Sequence, residues 1–102
     1  MESDGQIGVI HTDTGVTLRI NTERFNFSCH RSFREAYKNL PPSTKLQVDF
    51  MQVNYMDSSA LGMLLLLREH LGSEKESIRF INCNKSILNI FSVANFQKIF
   101  SF

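Results

Sequence analysis

Two hydrophobic periods alternate along this chain, and their alternation restricts the folds that it can adopt. Lys45 to Phe50 carries apolar residues at every second position, which is the period of a half-buried strand. The segment that begins at Ser58 repeats its apolar residues at helical spacing, and Gly72 supplies an end cap. One broad core-facing arc of this helix contains Ala60, Leu61, Leu64, Leu67 and Leu71. A strand followed by a capped helix favours an α/β fold.

The remaining segments continue this alternation. A hairpin is predicted over Gln6 to Ile20, a helix over Ser28 to Leu40, and a loop over Met51 to Met56. The chain then continues with a strand over Ile78 to Cys83, a helix over Lys85 to Val93 and an extended piece over Ile99 to Phe102. We therefore expect one α/β domain over residues 1–102, with a mixed, mostly parallel β-sheet packed with α-helices.

Charge and hydropathy exclude several classes of partner. Eleven basic and ten acidic residues give a net charge of +1, so no broad field is available to recruit nucleic acid or an anionic membrane. The longest apolar run, Met63 to Leu67, is far shorter than the roughly 20 residues of a membrane span. Met1 to Gly8 lacks the pattern of an export signal. These features predict a cytoplasmic protein.

Cysteine and histidine spacing predicts neither a metal nor a cofactor. Cys29 and Cys83 lack the close spacing of zinc ligands, and they are expected to be free thiols. The three histidines lie far apart in the sequence, and only Cys29-His30 brings two candidate ligands together. We expect no metal site.

The segment Asp57-Ser58-Ser59-Ala60-Leu61-Gly62 is typical of a helix N-terminus. Ser59, Met63 and Leu66 fall on a side of the helix outside the core-facing arc. A phosphate on Ser59 would meet helix N-terminal amides, which tolerate anions, and would repel a partner docked on Met63 and Leu66. Two plainer interpretations remain open: the serines are an ordinary N-cap, or Met63 and Leu66 lie beneath the helix predicted over Ser28 to Leu40.

Two further patterns have simple explanations. Ser58 or Ser59 with Asp49 or Asp57 and a histidine would supply the groups of a hydrolytic triad, but no Gly-x-Ser-x-Gly elbow surrounds the serines. We therefore expect no enzyme, and a small hydrolase that uses the serine pair is the third hypothesis. The helically spaced Arg31, Arg34 and Lys38 form a basic stripe, which is either a solvated face or a partner contact.

The sequence resembles the STAS-domain anti-sigma factor antagonists, a family of bacterial regulators of SpoIIAA type, and within it the Pseudomonas HsbA branch. The resemblance begins at Val48-Asp49-Phe50 and is most specific over Tyr55-Met56-Asp57-Ser58-Ser59-Ala60-Leu61-Gly62 and the leucines that follow. The segments Arg24 to Tyr37 and Ile81-Asn82-Cys83 also resemble the HsbA branch. The departure is Ala60, where sporulation-type members often carry glycine.

The resemblance implies a partner switch. Ser59 would be the phosphorylated residue, with Ser58 as the second choice, and the partner-binding residues would be Asp57, Ser58, Gly62, Met63 and Leu66. The unphosphorylated protein would bind an anti-sigma factor, a serine kinase would end that binding, and a phosphatase would restore it. The alternative is a constitutive STAS scaffold or sensory module without a phosphoswitch.

Overall fold

A four-stranded sheet packed with helices forms the framework of the domain. The computed structural model describes residues 6–102. The strands and helices are β1 (Ile7–Thr12), β2 (Gly15–Ile20), β3 (Arg24–Phe25), α1 (His30–Tyr37), β4 (Leu46–Asp49), β5 (Tyr55–Met56), α2 (Ser58–His70), β6 (Ile78–Ile81) and α3 (Lys85–Val93). Short 3₁₀ turns cover Phe27–Cys29, Lys75–Ser77 and Phe96–Lys98. This order confirms the predicted α/β class.

The strand order in the main sheet is β1-β2-β4-β6. β1 and β2 form the predicted antiparallel hairpin, whereas β2, β4 and β6 run parallel. Leu18, Val48 and Phe80 lie side by side across the three parallel strands. The sheet is therefore mixed and mostly parallel, as the alternation of strands and helices predicts.

One face of this sheet is covered and the other is open. Leu18 and Val48 are fully buried in the same hydrophobic cluster as the inward residues of the three helices. The alternate positions point the other way, and Gln47 and Arg79 are exposed there. The period-two pattern of Lys45 to Phe50 thus reflects a half-buried strand.

Aromatic rings fill the core between the sheet and α3. The ring centroids of Phe50 and Phe80 lie 5.2 Å apart, and Phe91 lies 5.4 Å from Phe50. Phe100 stacks on Phe80 at 4.5 Å. Because these rings come from the end of β4, from β6, from α3 and from the last segment, their packing ties distant parts of the chain together.

Three predicted elements differ from the structure. The helix predicted over Ser28 to Leu40 is shorter, because a 3₁₀ turn precedes α1 and the helix ends at Tyr37. The segment Met51 to Met56 is not only a loop, since β5 pairs in parallel with β3. The last segment is not a full strand: Ser101 forms an isolated bridge with Arg79. The last two differences involve contacts between segments far apart in sequence, which local periodicity does not encode.

The aromatic core predicts a strong contrast between two phenylalanines. Phe50 is fully buried, whereas Phe27 is 65% exposed. Phe50→Ala is expected to lower the free energy of unfolding by about 3–5 kcal/mol, because it leaves a cavity. Phe27→Ala is expected to lower it by less than about 1 kcal/mol. Urea unfolding of both variants measures the contrast, and equal losses would contradict this description of the core.

Candidate functional site

Asp57 caps the N-terminus of α2 and holds the hydroxyl group of Ser59. The Oδ1 atom of Asp57 accepts a hydrogen bond from the amide of Ala60 at 3.1 Å. The same oxygen accepts a hydrogen bond from Ser59 Oγ at 2.6 Å. Asp57 has extended backbone dihedral angles, as an N-cap residue requires. The carboxylate therefore fixes both the start of the helix and the direction of the Ser59 hydroxyl hydrogen.

These hydrogen bonds keep Asp57 ionised. The hydrogen bond from Ser59 and those from nearby backbone amides lower the pKa of Asp57 below its ordinary value of 3.8. A carboxylate at this position also interacts favourably with the positive end of the helix dipole. At neutral pH, Ser59 is thus hydrogen-bonded to a negative charge.

The two serines differ in their surroundings. Ser58 is exposed, whereas Ser59 is partly buried. The hydroxyl hydrogen of Ser59 is directed to Asp57. The oxygen of Ser59 is therefore oriented by the cap residue, on a side chain that is only partly buried.

The exposed face of α2 begins at these serines and continues along the helix. Gly62 is exposed, and a Cβ atom added to it would meet no atom within 4 Å. Leu66 is 54% exposed. Leu65, which sequence analysis did not single out, is 42% exposed beside it. Leu65 and Leu66 thus form an exposed apolar strip on α2, and Gly62, which has no side chain, separates this strip from the serine pair.

Met63 departs from the expectation that it lies outside the core. Its side chain is buried, and it faces α1 across a groove that Leu66 also lines. The open interpretation that these two residues lie against the first helix is therefore correct for Met63, while Leu66 remains exposed. Leu61, expected in the core, is only partly buried. Met63 is buried and Leu61 is partly exposed because α1 covers one flank of α2 and leaves the other flank open.

Hydrogen bonds between loops support the segment that leads into Asp57. Asn84 Nδ2 donates to the carbonyl oxygen of Val53 at 3.2 Å. Asp49, which is buried, accepts hydrogen bonds from Asn82 Nδ2 and from the Met51 amide, each at 3.0 Å. These contacts join the β4–β5 loop to the start of α3. Loops at the carboxyl ends of neighbouring parallel strands meet in this way, and the serine turn follows directly.

A second contact places aromatic and basic groups near the site. Because β3 pairs with β5, the guanidinium group of Arg24 lies 5.5 Å from the ring centroid of Tyr55. Tyr55 is 48% exposed, only a few residues before Asp57. Sequence analysis missed this pair, because nothing in the local pattern of Arg24–Phe25 indicates a partner at residues 55–56.

Of the groups considered for a hydrolytic triad, Asp57 contacts Ser59, but His30 and His70 make contacts elsewhere. His70 lies eleven residues further along α2, about 16 Å away along the helix axis. Its Nε2 atom contacts the carbonyl oxygen of Leu40 at 3.0 Å. His30 stacks on Phe27 at 5.0 Å. These two histidines have structural contacts of their own.

The two cysteines are free thiols in different surroundings. Burial, and the negative charge of Asp49, raise the pKa of Cys83 to about 11, so this thiol stays protonated at neutral pH and is a poor nucleophile. Cys29 is a buried free thiol. Within residues 6–102, no group of three His, Cys, Asp or Glu side chains is arranged to hold a metal ion. Over the same range, no helix has the length and apolar character needed to cross a membrane.

Comparison with known proteins identifies the family. Residues 7–101 match the family profile described as Mlab, STAS domain. The chain belongs to the STAS domain family. A STAS-domain containing protein of Pseudomonas aeruginosa strain UCBPP-PA14 is 42% identical over 78 residues, which cover 76% of this chain and 77% of that protein. The family resemblance seen in the sequence is thereby confirmed.

Solved structures show the same STAS fold. The unphosphorylated form of the anti-sigma factor antagonist SpoIIAA superimposes with a TM-score of 0.74 at 13% identity, covering 92% of this chain and 84% of SpoIIAA. A putative anti-sigma factor antagonist from Thermotoga maritima gives a TM-score of 0.70 at 14% identity, covering 95% of this chain and 85% of that protein. These similarities establish the fold of the STAS domain.

The cap at Asp57 predicts a pH-dependent loss of stability. In Asp57→Asn the side-chain amide still caps the helix but carries no charge. The stability advantage of the wild type, which is its larger free energy of unfolding, therefore comes from the charge of the carboxylate. Because the pKa of Asp57 is lowered on folding, that advantage is fully present above its ordinary value of 3.8 and is lost as the pH falls through the lower folded value. Urea unfolding of both proteins between about pH 7 and pH 2 measures it. A difference that grows on acidification would contradict the cap.

The surroundings of Gly62 and Gly15 predict that substitution by alanine has opposite effects on stability. Gly62→Ala adds a methyl group to an open position in α2, and it is expected to stabilise the domain by about 0.5–1 kcal/mol. Gly15→Ala places Cβ only 2.2 Å from the Lys45 carbonyl oxygen at a φ of +155°, so it is expected to destabilise by more than about 1 kcal/mol. Thermal and urea unfolding test both. Destabilisation by Gly62→Ala would show that this face of α2 is not open.

Proposed function

We propose that this STAS domain is an anti-sigma factor antagonist in a partner-switching pathway of the bacterial cytoplasm. The unphosphorylated protein binds an anti-sigma factor and thereby frees a sigma factor, and phosphorylation of Ser59 releases the anti-sigma factor. The observation that carries this proposal is the hydroxyl group of Ser59, held by Asp57 at 2.6 Å at the head of an exposed apolar strip. The protein acts by binding and needs no cofactor or metal.

The geometry around Ser59 suits a phosphate acceptor. Ser59 Oγ donates its hydrogen to Asp57, so its lone pairs are left for attack on the terminal phosphate of a nucleotide held by a serine kinase. Phosphoryl transfer forms the bond between Ser59 Oγ and phosphorus, breaks the bond from that phosphorus to the nucleoside diphosphate, which leaves, and releases the hydroxyl proton to solvent. The nearby amides at the start of α2 favour the added negative charge. Ser59 is accordingly the proposed acceptor, and Ser58, which is exposed, is the second choice.

Phosphorylation would change the contact with Asp57 from attraction to repulsion. The modified Oγ has no hydrogen to donate, and a group of about −1.5 to −2 charges would stand beside a carboxylate. Because like charges at this distance repel, the phosphate is expected to turn away from Asp57 towards the surface where Gly62 and Leu66 lie. The core of the domain, built from the opposite side of α2, would stay intact.

Release of the partner follows from the cost of burying that charge. A partner docked on Asp57, Ser58, Gly62, Leu66 and the accessible edge of Met63 would have to desolvate the phosphate without a counter-charge. Burying an unpaired charge costs several kcal/mol, and a loss of about 4 kcal/mol weakens binding roughly a thousandfold. A phosphatase that removes the group would restore the binding surface.

The relatives are consistent with this proposal. SpoIIAA is described as an anti-sigma factor antagonist, and its structure is that of an unphosphorylated form. The Thermotoga maritima protein is described as a putative antagonist of the same kind. The transfer of this role to the present chain depends on Ser59 and its surroundings.

A second candidate function is a sensory STAS module that binds a small ligand. The observation that favours it is a cavity of about 430 Å³ over the ends of the sheet where β4 and β6 begin, lined in part by Thr17, Lys45, Gln47 and Arg79. Its volume lies in the range of small-molecule sites. Intact-mass measurement of the protein purified from its own cells distinguishes the two functions, because a phosphate adduct of about 80 Da is expected only for the phosphoswitch.

The proposed switch predicts different binding by variants of Ser59. Ser59→Ala is expected to bind the anti-sigma factor as tightly as the unmodified protein, whereas phosphoserine at position 59 is expected to weaken binding by about a hundredfold or more. Isothermal titration calorimetry with the purified partner measures both affinities. Mass spectrometry after kinase treatment is expected to place the phosphate on Ser59.

Ser58→Ala is the matched control, since it removes the neighbouring hydroxyl and leaves the hydrogen bond between Ser59 and Asp57 in place. It is expected to retain modification of Ser59 and release of the partner on that modification. Equal affinities for the Ser59→Ala and phosphoserine-59 proteins, together with phosphate found elsewhere, would refute the proposed switch.

A further inference from the structure

A groove between α1 and α2 lies beside the proposed switch. Its volume is about 280 Å³, and its floor is formed by Phe33, Tyr37 and Met63, which are buried. Leu66 forms an exposed apolar wall. The aromatic rings of Phe33 and Tyr37 pack edge to face at 5.5 Å, so they support each other in this floor. The groove thus offers a preformed apolar surface to an incoming side chain.

The groove runs in line with Ser59. On α2, Ser59, Met63, Leu66 and His70 are separated by four, three and four residues, which places them on one side of the helix. Met63, Leu66 and His70 line the groove, and Ser59 lies one helical turn before Met63, about 6 Å along the axis. A group attached to Ser59 therefore stands at the end of the groove.

Basic residues form the rim on the α1 side. Arg34 and Lys38 both line the groove, whereas Glu69 is its acidic residue. Lys38 pairs with Glu35 at 2.8 Å, but both side chains are more than 40% exposed. An exposed pair of this kind contributes at most about 1 kcal/mol and exchanges partners readily. The rim is therefore available to acidic groups of a ligand.

We propose that this groove receives an acidic amphipathic helix of the binding partner. The inference rests on the proposed function and names the chemistry of the partner's binding segment. Apolar side chains of that helix pack on Met63 and Leu66, and its acidic side chains meet Arg34 and Lys38. Helix-in-groove recognition uses this combination of an apolar floor and a charged rim.

The charge of the partner helix explains how a phosphate acts on it. A dianion on Ser59 adds negative charge at the end of the groove, where an acidic helix already brings negative charge. Repulsion between the two then adds to the cost of desolvating the phosphate. The same groove would bind a neutral helix, but phosphorylation would then act by desolvation alone and would show little dependence on salt.

The test uses the full chain and the purified partner protein. The double variant Arg34→Glu, Lys38→Glu reverses the rim, and it is expected to weaken binding at least tenfold in about 0.05 M salt and to reduce the salt dependence of affinity. The matched control is Lys75→Glu, Lys98→Glu, which makes the same change in net charge at exposed positions outside the groove. The control is expected to stay within about twofold of the wild type.

A second pair of variants tests the apolar floor. Leu66→Ser is expected to weaken binding about tenfold or more, whereas Leu65→Ser, at an exposed leucine that does not line the groove, is expected to have a smaller effect. Circular dichroism and thermal unfolding of all variants check that the fold is retained. Hydrogen exchange on the partner is expected to protect one helical segment with a net negative charge.

The outcomes separate this inference from the proposed function. If the reversed rim binds as the wild type does while phosphoserine at position 59 still releases the partner, the groove inference is wrong and the switch stands. Protection of a basic or extended segment of the partner, or binding of a second copy of this chain in the groove, would also overturn the inference. If phosphoserine at position 59 fails to release the partner, the proposed function itself fails.

Discussion

The rotation of α2 about its own axis determines what this domain presents to its surroundings. Leu64, Leu67 and Leu71 are fully buried in the core, and together they allow the helix only one orientation against the sheet. With that orientation fixed, Ser58, Gly62 and Leu66 have to face outwards. The free energy of burying three leucines, about 1.5–3 kcal/mol each, therefore also positions the serine pair. Stability and the proposed switch use adjoining sides of one helix.

The start of α2 is fixed by a different set of contacts. The parallel strands β4 and β6 end at the same edge of the sheet, and their loops are joined through Asp49 and Asn84. Asp57 then ends the loop by accepting hydrogen bonds from Ser59 and Ala60. The position of the Ser59 hydroxyl group thus depends on the sheet edge as well as on the helix. A phosphate at this position changes surface charge, while the hydrogen bonds of the sheet lie elsewhere.

Much of this arrangement was predictable from the sequence, because its signals are local. The cap at Asp57, the leucine-rich helix and the strand before it all follow from spacing within about fifteen residues. The pairing of β3 with β5 was not predictable, since both strands contain only two residues and the paired residues are thirty-one positions apart. Met63 was placed outside the core because a helical projection shows direction but not which neighbour covers a flank. Leu65 was missed for the same reason: the projection does not show that its flank of α2 is left uncovered.

The proposed role depends on a charge that acts at the surface and leaves the packing beneath it unchanged. The most direct measurement compares amide chemical shifts, by two-dimensional NMR, of the unmodified protein and of the protein carrying phosphoserine at position 59. The account predicts large shifts for the amides of residues 57–62 and for those lining the groove, with the amides of β2, β4 and β6 almost unchanged. Shifts spread throughout the sheet, or loss of dispersed signals, would contradict it, because the phosphate would then act by disturbing the fold.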